Sequence, residues 1–463
     1  MISTEHGGLG EPIVEGSAAR ASFATVLLIV LAGALVFVWP LAHVIAVRNT
    51  LLVGIFLWLA IEFVRKPELR SVPQGAGAIL VALALLVTWL LIVALFVDDN
   101  PRRSLDEIKG QWLTACIAFA IGMLLPVILR TRGLELHACL RYLVYVLVGL
   151  SALQVVVGIW TLVHTGALPE DFFNHISAHK SYLTHVTAIA TSLLIADVVS
   201  PARLRPLRLK GFVLWTGLGI VVVATFFSGA RNGIIVIILM GLLGGLFWLR
   251  RAWHPSGRAF WLSVVAGSAI FAIAIFLMFK SDPRWARFTA TFPVAWNIDA
   301  NHAWVNAEIT PLPLATDGLP VEQAAYERIA WARAALRFLY QHPWGVGVTR
   351  NAFNELMQKS YGKPHAAHSH NGYLDLGLSI GIPGLALWIV FCVLLISRGI
   401  RTGVGWSLGS GVALLLLVVG YCVRTGLDST LRDHILQQYM FFVGVLLAAS
   451  SIEEHIMVVN EAR

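Results

Sequence analysis

The feature that most constrains this chain is a series of long apolar runs joined by short polar turns. Runs of spanning length occur near 22–40, 47–64, 75–97, 111–129, 140–163, 181–199, 211–227, 233–249, 259–279, 371–396, 404–423 and 434–451. A helix needs about 20 apolar residues to cross roughly 30 Å of hydrocarbon, so about twelve transmembrane helices are expected. Composition agrees: 57% of the 463 residues are hydrophobic, only 13% are charged, and the mean hydropathy is +0.76. A soluble domain carries about a quarter charged residues. The polar residues here are too few to cover so apolar a core, and lipid is the solvent for much of the surface. Residues 1–20 are polar and mixed in charge, unlike the basic leader of a signal peptide, so the first run is expected to stay as an anchor. The fold class expected is an all-α polytopic membrane protein.

The net charge is +8. In a soluble chain that balance suggests a nucleic-acid partner. Here the basic residues sit in short loops between apolar runs. With a cytoplasmic N-terminus, the loops after the even-numbered spans hold Arg65, Lys66 and Arg70; Arg130, Arg132 and Arg141; Arg203, Arg205, Arg208 and Lys210; Arg250, Arg251 and Arg258; and Arg398 and Arg401, against Glu68 and Glu135. The opposite loops are mixed, with Asp98, Asp99, Asp106 and Glu107 offsetting Arg102, Arg103 and Lys109. This is the positive-inside bias. It places both termini in the cytoplasm, makes membrane lipid the partner, and leaves no nucleic acid expected. Asp98-Asp99, followed by Arg102-Arg103, reads as a solvated loop rather than the spaced acidic pair of a metal-dependent glycosyl transferase. The cysteines Cys116, Cys139, Cys392 and Cys422 lie in or beside apolar runs without zinc-type spacing, and read as small buried residues.

One connection is long. Spans one to nine occupy 1–280, a loop domain 281–370 lies on the outer side, and spans ten to twelve occupy 371–463. A loop of that length usually carries function. Within it, Val321–Gln341 reads as a helix between Pro320 and His342-Pro343, and a short helix is expected near 351–360. The proline-rich stretch 293–320 reads as irregular.

Polar residues with chemical potential gather on this outer side. Span ten opens with His365, His368, His370 and Asn371. An imidazole is a good general base near neutral pH, and spaced histidines also suit a metal; interfacial capping is the plainer alternative. Asp375, a turn further on, is placed to orient a histidine or a hydroxyl. Gly377, Gly381 and Gly384 suit close helix packing. Arg231 stands in the tight turn Ser228-Gly229-Ala230-Arg231-Asn232-Gly233, an outer-face arginine that runs against the charge bias. Guanidinium binds phosphate oxygens bidentately, although snorkelling to headgroups is a competing role. On the loop helix, Arg328 is rotated about 140° from Arg333; Arg333 and Arg337 read as solvated. Lys180 and His185, with His175 and His179, cluster at the start of span six, where an anionic substrate or interfacial anchoring accounts for them equally. A transporter would place ionisable groups near the midplane, with repeats and broken helices. Here most charge is at the outer face, and there is no repeat of 20–50 residues.

His370-Asn371, nine residues, then Gly381-Ile382-Pro383-Gly384 resembles the H-[NSQ]-x9-G-x-x-G motif of the bacterial O-antigen ligase family. The Arg231 turn, and Arg328, Trp331 and His342-Pro343-Trp344-Gly345-Val346-Gly347, are similar to that family's arginine turn and loop helix. The superfamily also holds O-antigen polymerases and protein oligosaccharyltransferases. Leu385 follows Gly384 where ligases often carry threonine, which leaves ligase and polymerase both open. The resemblance implies a GT-C-like inner-membrane glycosyltransferase. It would move a glycan from undecaprenyl diphosphate to a sugar hydroxyl of lipid A–core at the periplasmic face, with no metal or other cofactor. In that scheme His370 is the general base and Arg231 and Arg328 grip the diphosphate, with His368, Lys180, His185 and Asn371 around the substrates.

Overall fold

A computed structural model describes residues 22–66, 75–166, 180–228, 230–252, 265, 283–362, 364, 366–405 and 408–461. Fourteen helices organise them: α1 Phe23–Val38, α2 Ile45–Arg65, α3 Gly77–Phe96, α4 Pro101–Thr131, α5 Leu136–Thr165, α6 Lys180–Val199, α7 Gly211–Phe227, α8 Arg231–Ala252, α9 Pro283–Trp296, α10 Gln323–Gln341, α11 Ala352–Tyr361, α12 Gly372–Ile400, α13 Gly409–Leu427 and α14 Asp433–Glu461. Among the described residues no strand forms; Leu314 and Pro320 share one isolated bridge. Nine of the helices are long and apolar enough to cross a membrane, and α1 and α7 are shorter apolar helices. Each expected apolar run coincides with one of these except 259–279, which apart from residue 265 lies outside the described residues.

The bundle is built around α14. In its spanning window 94% of residues are buried, against 22% in α8, which therefore sits at the periphery. Glycines bring α14 and α4 backbone to backbone: a Cβ on Gly122 would meet Val445 N at 2.9 Å, and one on Gly444 would meet Met123 N at 3.0 Å. This small-residue approach replaces the hydrophobic drive that lipid cannot supply between spans. The four cysteines are free.

Helix α12 breaks at Gly381 (φ 75°, ψ 174°), two residues before Pro383. A proline removes a helical N–H and disturbs the preceding turn. The break is filled from outside the helix. Trp89 Nε1 donates to Ile380 O at 2.8 Å, Ile382 N donates to Pro343 O at 2.8 Å, and Val346 N donates to Leu378 O at 3.0 Å. The motif glycines thus admit the backbone of 343–347, together with Leu339 and Trp89, more than another transmembrane helix.

Helices α9 to α11 share a second apolar core around Trp304, Tyr326, Trp331, Phe338, Phe353 and Met357. Helix α10 and helix α11 fall where the sequence places them. Helix α9 was not expected, since prolines marked 293–320 as irregular. Pro293 stands one turn from its end, where little helix remains to disturb, and docking on α10 holds it. Arg333 lies over the Trp296 ring at 5.1 Å, and Arg337 donates to both Asp299 oxygens at 2.9 and 2.6 Å. These two arginines fasten α10 to α9 instead of projecting freely. Asp98 also departs from its solvated reading. It is 7% exposed and accepts from Asn100 N at 2.9 Å, from Arg103 Nη2 at 3.1 Å and from Ser104 Oγ. Gly347, with φ +113°, leaves room for that carboxylate.

Candidate functional site

Four helix ends converge on the segment His368-Ser369-His370-Asn371. Asn371 caps α12, its Oδ1 accepting from Tyr373 N at 3.1 Å and Leu374 N at 3.2 Å, the usual task of an N-cap amide. Its Nδ2 donates to Gly426 O at 3.1 Å, tying α12 to the end of α13. The cap and this bond commit its carbonyl and one amide hydrogen within the protein. Ser369 N donates to Asp375 Oδ1 at 2.9 Å, while Asp375 Oδ2 accepts from Ser429 Oγ. Asp375 therefore ties the histidine segment to the residue beside Asp428.

His370 has φ 56°, a left-handed conformation uncommon for a residue other than glycine. Such conformations persist where the surroundings enforce them. Here the imidazole stacks on Trp331 of α10 (5.4 Å between centroids, 15° between planes) and lies 4.2 Å from the His368 ring. Its Nδ1 is 3.7 Å from Asp428 Oδ1, and its side chain keeps 30% exposure. Trp331 is itself fixed, donating Nε1 to Trp304 O at 2.8 Å. Arg328 stands three residues before Trp331, close to the same helix face, and is exposed.

Asp428 joins the remaining elements. Its Oδ2 accepts from Asn232 Nδ2 at 3.2 Å, which brings in the first turn of α8. Arg424, 1% exposed at the end of α13, donates to Thr184 Oγ1 of α6. Gly233 packs on the same Thr184, so the α7–α8 turn and the start of α6 lie together. Burial pushes the Asp428 carboxyl up, but the His370 contact and the Arg424 charge outweigh it and hold it well below the ordinary range. Burial, with the Arg432 and His370 charges, pushes the His368 imidazole down to about 4. The site therefore presents a neutral His368 beside an ionised Asp428.

The residues singled out from sequence distribute as follows. His370, His368 and Asn371 are together. Arg231 opens α8, adjacent to Asn232, and Lys180 opens α6; their side chains lie outside the described portion, as do His175, His179 and His365. His185 is 2% exposed, with its ring 5.6 Å from that of Tyr421. Helix α6 begins five residues earlier, so His185 lies a turn inside the bundle near the start of that helix. Sequence reasoning passed over Arg424, Asp428 and Asn232. Arg424 and Arg432 fall on the outer side under the expected topology. The anomaly that singles out Arg231, a basic residue against the charge bias, marks them too.

Spanning helices and a polar site at one end of the bundle define a multi-pass, all-helical membrane protein. Residues 216–389 match the family model described as O-antigen ligase, and over this segment the chain is similar to that family. The match runs from α7 through the Arg231 turn and the α9–α11 domain into α12. No curated protein matches the chain.

Proposed function

We propose that the protein is an O-antigen ligase. It transfers a glycan from undecaprenyl diphosphate to a sugar hydroxyl of lipid A–core at the periplasmic face of the inner membrane, without a metal. The observation that carries this reading is the convergence on Asp428. His370 approaches one carboxylate oxygen and Asn232, the neighbour of Arg231, donates to the other. A proton acceptor and the arginine turn are thereby held in one place.

A sugar hydroxyl is a poor nucleophile until a base takes its proton. Asp428 faces Nδ1 of His370, so Nε2 is turned toward the acceptor hydroxyl. The ionised carboxylate orients the ring and stabilises the imidazolium that forms. As the glycosidic bond breaks, charge grows on the diphosphate. Guanidinium groups of Arg231 and Arg328 stabilise that charge in place of a metal. Trp331 holds the base in plane, and its helix carries Arg328 beside it.

The test is transfer in detergent from lipid-linked glycan to purified lipid A–core with EDTA present. Wild type is expected to ligate. His370→Ala, Arg231→Ala and Arg328→Ala are each expected to abolish transfer while still inserting in the membrane. Full activity of His370→Ala would sink the base assignment. A polymerase is the alternative in the same superfamily, and gene deletion separates the two. Loss of all long chains from the core indicates a ligase, and a core bearing a single repeat indicates a polymerase.

A further inference from the structure

His368, His370 and Asp428 meet in a way that a single proton transfer does not require. We propose that they form a chelating site for a divalent ion of the zinc class, and that an ion bound there holds the protein inactive by occupying the His370 imidazole. The inhibition rests on His370 serving as base; the binding does not.

Each residue offers one ligand atom, and the three atoms lie within 4.8 Å of one another. Zinc ligands at about 2.0–2.2 Å in a tetrahedron stand roughly 3.4 Å apart. The His370 to Asp428 separation of 3.7 Å is already close to that spacing, and modest side-chain rotation closes the rest. All three side chains are half-buried, so the site is sheltered yet reachable. His368 Nδ1 is buried and makes no hydrogen bond in the protein. A shielded polar atom without a partner is unfavourable, and a ligated cation supplies one.

The supports for such a site are also present. Ligating groups are normally oriented by a surrounding layer of hydrogen bonds. Asp428 is held by Asn232 through Oδ2 and by the Ser429 backbone N–H at 2.9 Å through Oδ1. The backbone between the two histidines is pinned through Ser369 to Asp375. Asp375 and Asp428 offset the nearby Arg424 and Arg432 charges. Two imidazoles and one carboxylate favour zinc, cobalt or nickel over magnesium and calcium, which prefer oxygen-only shells. Three protein ligands leave one position for water.

The experiment titrates purified full-length protein, with its affinity tag removed, with Co2+ as a spectroscopic probe and then with Zn2+. One equivalent of Co2+ is expected, with ligand-field bands of a low-coordinate ion, no thiolate charge-transfer band, and displacement by Zn2+. Affinity is expected to fall roughly tenfold or more in His368→Ala and, separately, in Asp428→Asn, while His342→Ala binds as wild type does. Zn2+ is expected to stop glycan transfer over the same concentration range. Absence of saturable Co2+ binding to folded wild type, or wild-type affinity in both variants, overturns the site. Site-dependent binding without inhibition overturns the regulatory half and removes His370 as base. Loss of transfer in His370→Ala without metal binding leaves the base assignment standing and the metal site refuted.

Discussion

Gly381→Ala tests the support of the site rather than its chemistry. Gly381 has φ 75° and ψ 174°, a region essentially reserved for glycine, and a residue forced there is strained by about 1–3 kcal/mol. A new Cβ also has nowhere to go. It would lie 2.6 Å from Trp344 O and 2.7 Å from Pro343 O, both backbone atoms that cannot swing aside. The 343–347 segment must retreat, weakening the bonds from Ile382 N to Pro343 O and from Val346 N to Leu378 O, each worth roughly 1 kcal/mol. The expected loss is about 3–5 kcal/mol in all. Thermal denaturation in detergent, followed by tryptophan fluorescence, should show a clearly lowered midpoint, and transfer should fall with it. Gly219→Ala is the matched control. Its Cβ meets nothing within 4 Å in the middle of α7, and alanine is favoured there by roughly 0.5–1 kcal/mol. If Gly381→Ala denatures at the wild-type midpoint and still transfers glycan, the role given to the motif glycines is wrong.

Three further outcomes are expected. Asp428→Asn should lower kcat by roughly 10²-fold or more with a much smaller change in KM; an unchanged kcat in steady-state kinetics removes Asp428 as the orienting group. Trp331→Ala removes a buried indole and the surface on which His370 stacks, costing about 3–5 kcal/mol of stability. Trp331→Phe should recover most of the turnover, and equal kinetics for the two variants would show that stacking is irrelevant. EDTA should leave transfer by wild type intact or raise it, and a chelator-sensitive rate restored by Mg2+ would contradict the metal-free scheme.

Much of the fold is legible in the sequence because its determinants are local. Twenty apolar residues in a row make a span whatever surrounds them, and helices α10 and α11 are bounded by their own prolines and glycines. The misreadings are non-local. Asp98 beside two arginines has the composition of a solvated loop, and its burial is decided by Gly347, far along the chain. Pro293 argues against a helix until the packing of α9 on α10 is known. His370, Arg231 and Arg328 are visible as motif or anomaly. What unites the first two, the Asp428 carboxylate, sits in a short connection with no motif of its own. Arg424 and Arg432 flank it as the one available cue.

The peripheral position of α8 bears on how the proposed donor reaches the site. Only 22% of its spanning window is buried and most of the rest is partly exposed, so part of its flank is open to acyl chains, while Asn232 in its first turn touches Asp428. A polyprenyl tail can lie along that flank without leaving the bilayer while its head group reaches the helix end. Encounter then becomes a search in two dimensions. The rate at low donor should follow the mole fraction of donor among the membrane lipids, and diluting the bilayer with inert lipid should slow the reaction at fixed total donor and protein.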